Sequence, residues 1–148
     1  MCSSDLQLAR TAGEAPVLVA TTDKAPREAV DRLTAMGVER LVLPADRGGR
    51  PCVVALLEEL GRRRMTHLLV EGGSEVLGSF VEADLVDAAR VYIAGKIVGG
   101  RESTGPVGGL GVASLADCLS METTTVERLG PDLFLEARRT SRRDRSRP

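Results

Sequence analysis

Apolar positions along the chain change their period midway. Residues 16–21 form a short β-branched apolar run, the pattern of a buried strand. Thr22-Asp23 breaks that run and offers a helix N-cap. Residues 26–36 then place Ala29, Val30, Leu33 and Met36 at helical spacing, with Pro26 near the first turn and Gly37 as the natural stop. The pattern repeats. Leu41-Val42-Leu43 predicts a second strand, residues 46–50 a loop, and residues 52–60 a helix closed by Gly61 and three arginines. Leu68-Leu69-Val70 predicts a third strand and Ser74–Glu82 a third helix. Alternating strands and helices imply a parallel sheet with crossover connections. The second half reads differently. Residues 88–94 predict a strand, residues 95–112 are glycine-rich without apolar period, and residues 123–129 and 133–137 predict a hairpin around Gly130-Pro131-Asp132. The expected architecture is therefore α/β, a parallel part followed by an antiparallel C-terminal hairpin in one mixed sheet. The glycine-rich stretch is longer than most connections, and reads either as a surface loop or as a lid or substrate loop.

The most informative stretch is Leu68-Leu69-Val70-Glu71-Gly72-Gly73-Ser74-Glu75-Val76-Leu77-Gly78. An apolar run ends in a carboxylate and two glycines, and an amphipathic helix follows. Unpaired N–H groups at such a helix start, together with the helix dipole, suit a phosphate. Glu71 would stand at the carboxyl end of a strand, where ligands of open α/β sheets collect. Two plainer readings stand beside this one: Glu71 caps its own turn, and Gly72 and Gly73 only supply positive φ.

Composition narrows the field. A chain of 148 residues is one domain by size. With 2% aromatic residues and no Trp it has few rings on which to stack nucleic-acid bases. The net charge of −1 conceals six arginines and one aspartate within residues 138–148, a basic end expected to be disordered from residue 139. Cys2, Cys52 and Cys118 show neither metal spacing nor a disulfide pattern. The single histidine, His67, precedes a strand and reads as structural, so neither a metal site nor a Ser-His-Asp triad is expected. No run reaches membrane-spanning length, and a reduced cytoplasmic setting is the simplest expectation.

Between residues 16 and 138 several linked motifs resemble one family. They are Leu69-Val70-Glu71-Gly72-Gly73, Gly78-Ser79-Phe80, Leu85-Val86-Asp87, residues 92–100 and residues 129–138. In that order they are similar to the reductase domain of the bifunctional riboflavin-biosynthesis deaminase–reductase, which has a dihydrofolate-reductase-like fold. This chain has Gly95 where the family usually has proline. The resemblance implies NADPH-dependent reduction of a phosphoribosylaminopyrimidine, a small-molecule substrate, by a homodimer. Carried over by position, it implies that Glu71 contacts the pyrimidine and that Gly72, Gly73, Ser74, Glu75, Val76, Leu77, Gly78 and Ser79 hold the dinucleotide. No catalytic residue is assigned. Lys96 reads first as a solvated cation, and Thr21 and Thr22 serve equally as helix caps or as a cofactor border.

The resemblance covers the reductase part alone. The zinc-ligand pattern of a deaminase is not found here. Residues 8–138 are expected to be a partial reductase domain lacking the family's early strands. Residues 1–7 are expected to be a non-native or disordered start, because Cys2-Ser3-Ser4-Asp5-Leu6 matches the translation of a common sequencing-library adapter. Two alternatives to the reductase follow: a non-catalytic remnant of the fold, and a related reductase for another pterin- or pyrimidine-like substrate.

Overall fold

A computed structural model describes residues 7–100, 103 and 105–140. Contacts divide the chain into two units, with the boundary between Leu68 and Leu69.

The first unit begins with a single helical turn, α1 (Gln7–Arg10), followed by β1 (Leu18–Thr21), α2 (Arg27–Ala35), β2 (Glu39–Val42) and α3 (Val53–Arg62). β1 and β2 pair in parallel, Leu18 opposite Glu39 and Thr21 opposite Val42. Parallel pairing requires a crossover, which α2 supplies. Its helix start differs from expectation: Pro26 occupies the N-cap, and Thr22 and Asp23 lie in the preceding turn. Proline pre-sets the extended φ there, and no side chain caps the helix. The stop is as expected. Gly37 has φ +79°, its amide donates to Thr34 and that of Val38 to Leu33, the two bonds of a Schellman cap. α3 ends with the same pair of bonds, but Gly61 lies inside the helix and Arg64 takes the left-handed position at φ +62°. Among the described residues of this unit, Val38, Leu43, Leu60 and Ala9 are the buried apolar side chains.

In the second unit α4 (Ser74–Glu82) precedes β3 (Ala88–Ile93), a 3₁₀ turn at Leu115–Asp117, β4 (Met121–Leu129) and β5 (Asp132–Arg139). β5 is central, antiparallel to both β3 and β4. Leu129 pairs with Asp132 across Gly130-Pro131, and Gly130 at φ +61° occupies the first central position, as a type II′ hairpin turn requires. The ladder brings Val91, Leu135 and Val126 side by side in one row, and Tyr92 beside Phe134 with ring centroids 5.0 Å apart. Phe80 is the one buried large apolar side chain among the described residues of this unit.

Three further expectations are corrected. The strands form a two-stranded parallel sheet and a three-stranded antiparallel sheet, not one mixed sheet. The strand expected at residues 68–70 is not formed. That run straddles the boundary between the units, and among the described residues no neighbouring backbone is paired with it. Strand propensity without a partner's N–H and C=O groups makes no sheet. Leu68 and Leu69 are accordingly exposed. The basic end also starts later than expected: Arg139 closes β5, its guanidinium bonded to the Asp84 carboxylate at 2.5 Å and to the Asp84 carbonyl at 3.1 Å. Thr140 of that end is also described, its hydroxyl donating to the Ser120 carbonyl, whereas residues 141–148 and residues 1–6 of the expected disordered start lie outside the described residues.

Candidate active site

The expected site lies at the start of α4. Gly72 takes φ +107°, a positive value that favours glycine, at a bend ahead of the helix. Gly73 is the N-cap, and no side chain caps the helix behind it. Open space surrounds the position that a Cβ would take at either glycine. The Gly73 carbonyl accepts from the amides of Val76 and Leu77, which closes the first turn. An uncapped helix start behind two unobstructed glycines fits the diphosphate of a dinucleotide in its donor chemistry and in its close backbone approach.

The remaining expected residues follow along this helix. Ser74 and Leu77 are half-buried, Glu75 and Val76 exposed, and Gly78 buried. The Ser79 hydroxyl donates to the Glu75 carbonyl at 2.9 Å, which turns its oxygen back onto its own helix. Glu71 is exposed and precedes the turn without belonging to a strand. It therefore does not stand at the carboxyl end of a paired strand, although it remains two residues from the helix N-cap. His67 is exposed, its Nδ1 3.0 Å from the Thr66 hydroxyl. Lys96 is exposed beyond β3. Thr21 and Thr22 end β1 in the other unit, where the Arg40 guanidinium donates to the Thr21 hydroxyl at 2.9 Å and to the Thr22 carbonyl at 3.2 Å.

Residues 108–110, part of the stretch that reads from sequence as a loop or lid, lie against α4. The Gly108 amide donates to the Ser74 carbonyl at 2.8 Å, and the Leu110 amide to Glu82 Oε1 at 2.6 Å. The clue available in the sequence was the glycine pair 108–109 in a stretch without apolar period. Its partner on the helix, Gly78, had been assigned to the dinucleotide site.

The shifted carboxylates all belong to the first unit. The Arg63 guanidinium holds Glu39 and Glu59 below the usual carboxylate range through hydrogen bonds of 2.8 Å each. Asp46 is held low chiefly by the backbone amide of Arg50, with that of Gly48 assisting. Arg62 also pairs with Glu59. These are structural ion pairs at α3 and at the residue 46–50 turn. Among the described residues no group of three metal-capable side chains occurs, and no helix is long and apolar enough to cross a membrane.

Comparison with known proteins gives a consistent picture. The family described as the RibD C-terminal domain matches residues 2–135, which include most of the start expected to be non-native or disordered. Riboflavin biosynthesis protein RibD of Actinobacillus pleuropneumoniae is 33% identical over 132 residues, covering 89% of this chain and 35% of the relative. The 2,5-diamino-6-ribosylamino-4(3H)-pyrimidinone 5′-phosphate reductase of Methanothermobacter thermautotrophicus is 36% identical over 123 residues, covering 83% of this chain and 55% of the relative. The chain thus spans about a third to about half of the curated relatives it matches. Among solved structures, a pyrimidine reductase-like protein from Corynebacterium diphtheriae superposes with a TM-score of 0.66 at 20% identity, over 84% of this chain and 50% of that one. Acinetobacter baumannii RibD gives 0.66 at 21% identity, over 92% and 35%. These two establish the fold.

Proposed function

This chain belongs to the RibD C-terminal domain family, and from that membership we propose that it is the reductase part of a riboflavin-biosynthesis enzyme. The reaction is the NADPH-dependent reduction of 5-amino-6-(5-phosphoribosylamino)uracil to its ribityl product. The observation that carries the reading is the coincidence of the family match with an uncapped, glycine-led helix start at residues 72–74. The nicotinamide, when bound, supplies the hydride. The chain's residues bind and orient. Gly72 and Gly73 allow the diphosphate to approach the backbone, and the first turn of α4, residues 74–79, presents N–H groups and the positive end of its dipole. Glu71 accepts hydrogen bonds from the N–H edge of the pyrimidine and fixes the ring. With both reactants held, hydride supplied by a bound nicotinamide would add at C1′ of the ring-opened imine, whose ring oxygen has already become a hydroxyl, and the imine nitrogen would take a proton from water. Such a protein works in the cytoplasm, and we read it as a homodimer.

The test is NADPH oxidation followed by the absorbance of the reduced nicotinamide, with the deaminated substrate and with the 2,5-diamino pyrimidinone compared side by side. Turnover of the deaminated substrate is expected, and Glu71→Gln is expected to raise KM for the pyrimidine more than for NADPH. Turnover confined to the diamino compound would reassign the substrate, and turnover of neither would leave the non-catalytic remnant as the better reading. Light scattering on the purified chain checks the dimer.

A further inference from the structure

Gly78 is buried in the interior of α4, where alanine would ordinarily favour the helix. Its surroundings explain the glycine. A Cβ there would stand 2.5 Å from the Gly108 carbonyl oxygen and 2.6 Å from the carbonyl carbon, both backbone atoms that cannot swing aside. The fit is reciprocal, since a Cβ on Gly108 would stand 3.1 Å from the Ser74 carbonyl oxygen. The two backbones meet through paired glycines, and hydrogen bonds hold the contact on either side of Gly78: Gly108 amide to Ser74 carbonyl in the first turn, Leu110 amide to Glu82 carboxylate in the last. Apolar burial does not hold this segment, because Leu110 is 98% exposed. Backbone shape and these polar bonds seat it among the described residues.

We propose that residues 108–110 form a strap along α4, and that Glu82 and the Gly78–Gly108 pair are positioning residues that fix the first turn of the helix for a dinucleotide diphosphate. The proposal rests on the cofactor reading given above. The strap grips the carbonyl of Ser74, one residue beyond the N-cap, so its loss frees the turn whose N–H groups must be aimed before the ligand arrives. Glu82 acts at a distance, through the Leu110 amide, and touches no ligand.

The experiment uses the whole chain and NADPH as the probe. Gly78→Ala drives a methyl group into the strap. Glu82→Ala removes the far anchor without touching the contact, and covers the case in which Gly78→Ala fails to fold. Glu82→Gln retains an acceptor at the same reach. The Kd for NADPH is expected to rise about fivefold in Gly78→Ala and in Glu82→Ala, the scale of one lost hydrogen bond, and to stay within about twofold of wild type in Glu82→Gln. Hydrogen exchange at the Gly108 and Leu110 amides is expected to quicken in the first two variants alone. Wild type and disruptive variants binding NADPH equally well overturns the strap while leaving the cofactor reading intact. A wild type that binds no NADPH overturns the cofactor reading, and the positioning role with it.

Discussion

Residues 7–68 and residues 69–140 are built from similar side chains but hold themselves together by different means. The first unit buries Val38, Leu43 and Leu60 around a parallel strand pair and closes two helices with Schellman caps. An ion-pair cluster ties the end of α3 to the start of β2 through Arg63. Among its described residues the second unit holds one buried large apolar side chain, Phe80, and relies on an antiparallel ladder whose Val91, Ile93, Val126 and Leu133 remain exposed. An antiparallel ladder satisfies its own backbone without deep burial, whereas a short parallel pair depends on covering elements. The proposed site sits in the unit with the thinner core, where a small change in packing reaches the helix start directly.

The sharpest break of this comparison is Phe80→Ala. It removes most of the second unit's apolar anchor and is expected to destabilise by about 3 kcal/mol. Hydrogen exchange resolved by residue is expected to show the loss in β3 and β5 and to spare β1 and β2. Equal loss in both units would show that the two share one cooperative core. Next comes Arg139→Met, which keeps the aliphatic stem but takes the bonds of a 5% exposed guanidinium from Asp84. A loss of about 2 kcal/mol is expected, read as a lower urea midpoint. Helix ends in the first unit give a smaller, signed pair. Gly37→Ala places a Cβ at φ +79° and is expected to cost about 1 kcal/mol, while Arg64→Gly relieves a side chain at φ +62° and is expected to gain about 0.5 kcal/mol. Thermal midpoints moving in the same direction in both variants would contradict the cap assignment.

The smallest effect is acid sensitivity confined to the first unit. Glu39, Glu59 and Asp46 are all held below their ordinary values of 4.5, 4.5 and 3.8. A carboxylate depressed in the folded state contributes stability that is complete above its unfolded value and is lost as pH falls through the folded one. The first unit is therefore expected to weaken below about pH 4.5, and Arg63→Met is expected to flatten that dependence because it removes the largest cause of the shift at both glutamates. Measuring the urea midpoint of each variant between neutral pH and pH 3 checks this.

Local chemistry was legible wherever the signal was local. Ser74–Glu82 was read to the residue because its apolar period, glycine start and polar flanks agree with one another. Gly37 announced its cap, and Gly130-Pro131 its hairpin. The run at 68–70 was misread because its side chains carry β propensity while the strand depends on a neighbour. Arg64 was misread because Gly61 three residues earlier looked the better stop, yet the helix runs through it. The glycine-led helix start was visible in the residues and in the family resemblance, but its seating against residues 108–110 was not. Thirty residues separate Gly78 from Gly108, and neither states that the other is its reason.

By itself the sequence determined the family, the helices and strands from β1 to β5 apart from the strand expected at residues 68–70, and the glycine-led helix start that carries the proposed chemistry. These follow from side-chain period, turn residues and motif order, all properties of neighbours along the chain. Only the tertiary structure decided that the strands divide into two sheets, that residues 68–70 are left unpaired, that Arg139 belongs to β5, and that a glycine loop lies on α4. Each of those depends on backbone groups distant in sequence meeting within hydrogen-bond reach, and such pairing is a property of the folded chain rather than of any segment in it.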